Sequence, residues 1–317
     1  YRRQRQMCIR DSLPAALANY ALIGWLLGAQ NARAPLVMLL VTNLLNILLS
    51  LWFVLGLHWE VVGAARAAVL AEWGGLLVGL TLARRALRRH PGSTRWAAMA
   101  KWQSWRALLA VNRDIFLRSL ALQAVFLLIT IQGARLGDAT VAANALLLNG
   151  LLITAYALDG LAHAVEALCG HAIGARDRLA LRRSLIVAGI WSLLASLVFA
   201  LAFAFGGHLF INLQTSIAAV RETADHYLPY LALLPLFAVW SYLLDGLFIG
   251  ATRAREMRNA MLVALTLGLP IALALQGFGN HGLWIAFLAF MALRGLALGA
   301  LAWRLARRDQ WLAAPGS

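Results

Sequence analysis

The chain has 317 residues, 62% of them hydrophobic and 13% charged, with a mean hydropathy of +0.74. Soluble domains run at about 45–50% apolar and about 25% charged, so this chain carries more apolar surface than a fold in water can hide. Its 28 Lys+Arg against 13 Asp+Glu leave a net charge of +15, which in a membrane chain belongs to cytoplasmic loops rather than to nucleic acid.

The expected class is an all-α integral membrane protein, because lipid offers no partner for backbone N–H and C=O groups and a helix satisfies its own. Residues 1–11 (YRRQRQMCIRD) are polar, basic and abruptly followed by apolar sequence. They lack the cleavage site of a signal peptide and are expected to be a non-native or disordered leader. Nine transmembrane spans of about 20 or more residues follow, at 13–32, 36–57, 62–84, 108–134, 139–169, 183–206, 227–251, 259–278 and 282–304. The domain reading is three helices over 12–84, a basic inter-lobe linker over 85–107, six helices over 108–308 and a tail over 309–317. Cys8 and Cys169 lie in unrelated settings, so no disulfide is expected.

The charges orient the spans. Arg85, Arg88, Arg89, Arg95, Lys101 and Arg106 crowd the linker; Arg176, Arg178, Arg182 and Arg183 follow the fifth span; Arg253, Arg255 and Arg258 follow the seventh; Arg304, Arg307 and Arg308 close the ninth. Alternating spans put all of these on one side, opposite Arg135 and Arg221. The C-terminus is therefore expected in the cytoplasm.

An internal repeat is visible. Residues 20–33 (YALIGWLLGAQNAR) and 242–255 (YLLDGLFIGATRAR) share a Tyr-x3-Gly-x3-Gly-Ala-x2-Ala-Arg frame at an offset of 222 residues. Pro14 and Pro235 correspond upstream, Gly63 and Gly282 open the third helix of each triplet, and Gly75-x3-Gly79 matches Gly295-x3-Gly299. Spaced small residues let helix backbones approach where lipid supplies no hydrophobic drive. Both copies run in the same direction, so spans seven to nine are the counterpart of spans one to three. Spans four to six have no counterpart, and the expected whole is six plus six helices with the first three absent.

These segments, with ANYALIGWLLGAQNARAP (18–35), NLLNILLSLWFVLGLHWEVVGAA (43–65), LLAVNRDIFLRSL (108–120) and AYALDGLAHAVEALCGHAIGARD (155–177), resemble the MATE (multidrug and toxic compound extrusion) transporters, in their DNA-damage-inducible protein F-like branch. The resemblance covers residues 13–308. It implies a two-lobe fold in a bacterial inner membrane, a monomer, and export of organic, usually cationic compounds in exchange for H+ or Na+, with no other cofactor. Asn43 and Asn46 match the Asn-x2-Asn pattern of the family's second span, while Ser50 stands where an acid is common.

Acids inside spans need a reason, since a charge at the bilayer centre costs about 2.5–3.5 kcal/mol on insertion scales. Asn149, Tyr156, Asp159, His163 and Glu166 fall on one face of the fifth span. Tyr156, Asp159, His163 and Glu166 are the coupling candidates, as a proton relay or cation site, together with Asp245 of the seventh span. The same spacing also fits a polar seam between helices, and His163 with Glu166 offers too few ligands for zinc. Asp245 reads as a relay acid or as the partner of an arginine such as Arg253. Glu72 reads as a partner of Arg66, and Arg118 and Arg294 as buried counter-charges. Asn149, Arg118, Gln123, Asn43 and Asn46 are the cavity-lining candidates. Rival readings are a lipid-linked precursor flippase, a chain without transport activity and an intramembrane enzyme. The sequence holds no phosphate loop, nucleophile triad or Cys/His cluster, which argues against an ATP-driven pump and against most enzymes. The expected partners are small organic solutes and membrane lipid.

Overall fold

The computed structural model describes residues 2–29, 31, 33–89 and 102–311. Their helices are α1 (Arg2–Gly28), α2 (Arg33–Leu51), α3 (Glu60–Arg89), α4 (Trp102–Arg135), α5 (Asp138–Gly174), α6 (Arg178–Gln214), α7 (Ala218–Gly250), α8 (Ala254–Ala274) and α9 (Gly279–Arg307), with a π-helical turn at Trp52–Gly56 and a 3-10 turn at Gln276–Phe278. There is no strand among the described residues.

One expectation is corrected. Eight helices among the described residues, not nine, are long and apolar enough to cross a membrane. α1 falls short because Asp11, Pro14, Asn19 and Tyr20 dilute its apolar residues. The leader expected over residues 1–11 falls on the start of α1. α1 begins at Arg2 and runs through Pro14, and Trp73 Nε1 of α3 donates to the Asp11 carbonyl at 3.1 Å. Much of the expected 85–107 linker lies outside the described residues; its edges extend α3 to Arg89 and start α4 at Trp102.

The chain divides into two compact units, Tyr1–Ala97 and Ala98–Ser317. In the first, α1–α3 close around Leu26, Ala34 and Met38. Asn19 Nδ2 of α1 donates to the Glu72 carboxylate at 2.9 Å and to the Glu72 carbonyl at 3.0 Å. Glu72 is thus the partner of Asn19 and not of Arg66, whose guanidinium stacks on the Trp59 ring.

In the second unit α7 is central, with Leu231, Leu234, Ala238, Ser241 and Phe248 buried. The turn into α5 is made by Gly137 at φ +117, a backbone that a side chain would strain. Asp177 caps α6 by accepting from the Ala180 N–H at 2.9 Å. α5 and α7 touch backbone to backbone: a Cβ on Gly250 would lie 2.5 Å from the Glu166 carbonyl oxygen, and one on Gly246 would overlap that of Ala162. This contact fixes which face of α5 is spent on packing.

The glycines of the repeat can be compared position by position. A Cβ on Gly79 would lie 3.0 Å from Leu22 Cδ1, and one on Gly299 would lie 3.9 Å from Leu244 Cδ1, the repeat-equivalent leucine. By contrast Gly24 and Gly28 of α1, the equivalents of Gly246 and Gly250, meet nothing within 4 Å.

Candidate functional site

The most heavily charged buried point of the second unit is Asp245. Arg118 of α4 donates from Nη1 to Asp245 Oδ2 at 2.7 Å, and Arg294 of α9 donates from Nη2 to the same oxygen. The side chains of Arg118, Asp245 and Arg294 are 18%, 10% and 3% exposed. One carboxylate therefore ties together α4, α7 and α9. Arg118 Nε, Arg294 Nη1 and Asp245 Oδ1 are buried without a hydrogen-bond partner. The Arg294 guanidinium also lies over the Tyr242 ring, 5.7 Å from its centre. Desolvating three charges is costly, and only their mutual pairing offsets it. Both arginines that the sequence marked as buried counter-charges meet here. Arg253 does not: it bonds Glu256 at 2.9 Å and the Gln310 carbonyl at 2.6 Å.

The α5 stripe lies beside this cluster. Tyr156, Asp159 and His163 are exposed and Glu166 is half-buried, because the opposite face of α5 carries Leu158, Val165 and Cys169 into the core. The stripe is thus an open face of the unit, not an enclosed interior seam. His163 Nδ1 and Glu166 Oε2 are 3.2 Å apart, and Asn149 donates to Gln214 Oε1 at 3.1 Å. Asp159 is within electrostatic reach of Asp245, Arg294, Arg118 and His163. Two guanidiniums and two carboxylates, drawn from four helices, therefore form one neighbourhood with balanced formal charge.

The remaining candidates do not join it. Gln123 is exposed on α4. Asn43 donates to the Leu39 carbonyl of its own helix at 2.8 Å, and Asn46 accepts from Ser50 at 3.4 Å. Among the described residues no three His, Cys, Asp or Glu side chains are placed to hold a metal ion.

Several polar groups escaped the sequence reading. Asn144 and Asn280 exchange two hydrogen bonds, at 2.7 and 3.0 Å, and Trp284 Nε1 adds a third to Asn144 Oδ1 at 2.9 Å. Their signal was faint, since Asn144 shares the fifth span with Asn149 and Asn280 falls between the eighth and ninth spans. Asp114 accepts from Arg258 at 2.6 Å, joining α4 to α8. His281 touches His226 at 3.0 Å and the Tyr230 hydroxyl at 2.9 Å. A cavity of about 410 Å3 opens between α4, α8 and α9.

The MatE family model matches residues 115–274, which hold α5, α6, α7, α8 and most of α4. The chain belongs to the MatE family. It is 50% identical over 311 residues to the DNA damage-inducible protein F of Escherichia coli, covering 96% of this chain and 66% of that protein. It is 25% identical to Protein DETOXIFICATION 43 of Arabidopsis thaliana, covering 93% of this chain and 56% of the plant protein. The MatE chain thus spans about two thirds or less of these relatives' length. In fold it is similar to a point mutant of the Vibrio cholerae MATE transporter VcmN, with a TM-score of 0.87, 21% identity and coverage of 97% of this chain and 70% of that one. A MATE structure in the straight conformation gives a TM-score of 0.83 at 17% identity, over 97% of this chain and 70% of that one.

Proposed function

We propose that this chain forms part of a secondary antiporter of the bacterial inner membrane, with a cytoplasmic C-terminus, which exports organic cationic or amphipathic compounds in exchange for protons by alternating access. The observation that carries this reading is the position of Asp159: open on the α5 face, yet inside the field of the Arg118–Asp245–Arg294 cluster. With Asp159 ionised the four groups balance. With Asp159 protonated they carry one net positive charge, which repels a cationic solute. Proton and cation then compete for one neighbourhood, as antiport requires, and each favours a different state only through that difference in binding. His163 and Glu166, bonded to each other one turn along, extend the titratable face.

Protons are favoured over Na+ because Asp245, the buried carboxylate beside the stripe, already holds two guanidiniums where a metal cation would sit. The test is proton-coupled dye efflux by the full-length parent in vesicles. Asp159→Asn keeps shape and most hydrogen bonding but cannot titrate, so it is expected to abolish drug-driven proton movement at normal expression. Full coupled export by Asp159→Asn combined with Glu166→Gln would make the stripe a packing feature.

A further inference from the structure

The cavity between α4, α8 and α9 has no part in the charged site. Its volume is about 410 Å3, and its walls are apolar side chains such as Leu128, Leu269, Leu273, Phe287 and Phe290. That size lies within the roughly 300–1,000 Å3 of small-ligand pockets. The polar lining residues are Gln132, Arg135 and Gln276, and Arg135 is the one charged residue among them. All three belong to the end of the unit where α4 finishes, α8 has just ended and α9 begins.

On α4 the lining runs from Val125 to Arg135, a depth of about 15 Å at 1.5 Å per residue. That equals half of a hydrocarbon core about 30 Å thick, the reach of one leaflet's acyl chain. An apolar slot of one-leaflet depth, within helices apolar enough to cross a membrane and with a guanidinium at its mouth, matches a single kind of occupant. We infer that the cavity holds one acyl chain of an anionic membrane phospholipid, its phosphate bound by Arg135. Guanidinium forks suit phosphate oxygens, and among the described residues the Arg135 fork bonds Gln132 Oε1 through Nη1 at 3.3 Å. Gly268 lines the slot beside Phe290: a Cβ there would reach ordinary contact with the ring at 3.5 Å, so a larger side chain must enter the slot.

This inference does not depend on the transport reading, and its test measures binding alone. The purified chain is reconstituted with phosphatidylglycerol carrying a diazirine in one acyl chain, irradiated, and mapped by peptide mass spectrometry. Labels are expected on lining residues of α4, α8 and α9, with at least fivefold less labelling in Gly268→Phe, which fills the slot. Unlabelled phosphatidylglycerol is expected to compete at least fivefold better than phosphatidylcholine, and Arg135→Gln to erase that preference. Arg135→Gln removes only an exposed charge, so it decides the matter even if Gly268→Phe fails to fold. The inference is overturned if labelling is as strong on the exposed α6 residues Phe205 and Leu209, or if Arg135→Gln keeps the phosphatidylglycerol preference. It is equally overturned if ethidium displaces the lipid, which would make the cavity a solute site.

Discussion

Arg118 Nη1 donates to Asp245 Oδ2 at 2.7 Å across 127 residues of sequence, and this bond joins α4 to the helix at the centre of the six-helix unit. Arg294 completes the clasp from α9. Its consequence is asymmetric. Asp245→Asn leaves two buried guanidiniums facing a neutral amide, and a loss of about 3–5 kcal/mol is expected, as for other broken buried pairs. Replacing Arg118, Asp245 and Arg294 together by Met, Leu and Met is expected to cost far less. Thermal unfolding in detergent, read by loss of the monodisperse peak, ranks the variants; equal losses would mean that the clasp contributes through shape and not charge.

The two glycine pairs of the repeat give a second expectation. Gly250→Val pushes a side chain into the Glu166 carbonyl and forces α5 off α7, so a lower unfolding temperature and disturbed stripe are expected. Gly24→Ala and Gly28→Ala meet open space in this chain and are expected to be neutral or stabilising by up to about 1 kcal/mol, from helix propensity alone. Melting curves of the three variants, measured on this 317-residue chain, check the contrast.

The Asn144–Asn280–Trp284 network is buried and doubly bonded. Asn144→Leu leaves the Asn280 amide and the Trp284 N–H unpaired, for an expected loss of about 1–3 kcal/mol. Adding Asn280→Leu should recover part of that loss, because the second unpaired amide disappears with it. A double-mutant cycle by denaturant unfolding measures the coupling; strict additivity would show that the amides act independently.

Stability and coupling should separate at His163 and Glu166. Their contact is an exposed i,i+3 pair, so Glu166→Gln is expected to change unfolding by less than about 0.5 kcal/mol. If the pair belongs to the proton path, the same variant shifts the pH profile of coupled efflux in the full-length parent while leaving melting unchanged. A variant that loses stability and keeps its pH profile would place Glu166 in the packing.

Much of this molecule is a property of its one-dimensional pattern. Hydropathy runs determine helices because lipid leaves the backbone no other partner, and the period of 3.6 puts Asn149, Tyr156, Asp159, His163 and Glu166 on one face whatever surrounds them. The repeat marked Gly79, which stands close to Met38 and Leu22, whereas its counterpart Gly299 has nothing nearer than 3.9 Å. The pattern was least informative at α1, where Asp11, Pro14, Asn19 and Tyr20 hold a helix below the hydropathy of its neighbours. Tertiary structure alone decided the rest. Arg253, eight positions from Asp245 along the sequence, turned to Glu256, while arginines of two other helices reached the carboxylate. Periodicity says which residues share a face but not what that face meets. The close approach of Gly246 and Gly250 to α5 turned the apolar side of α5 inward and left its acids open, and the slot beside Arg135 exists only because three helix ends converge there.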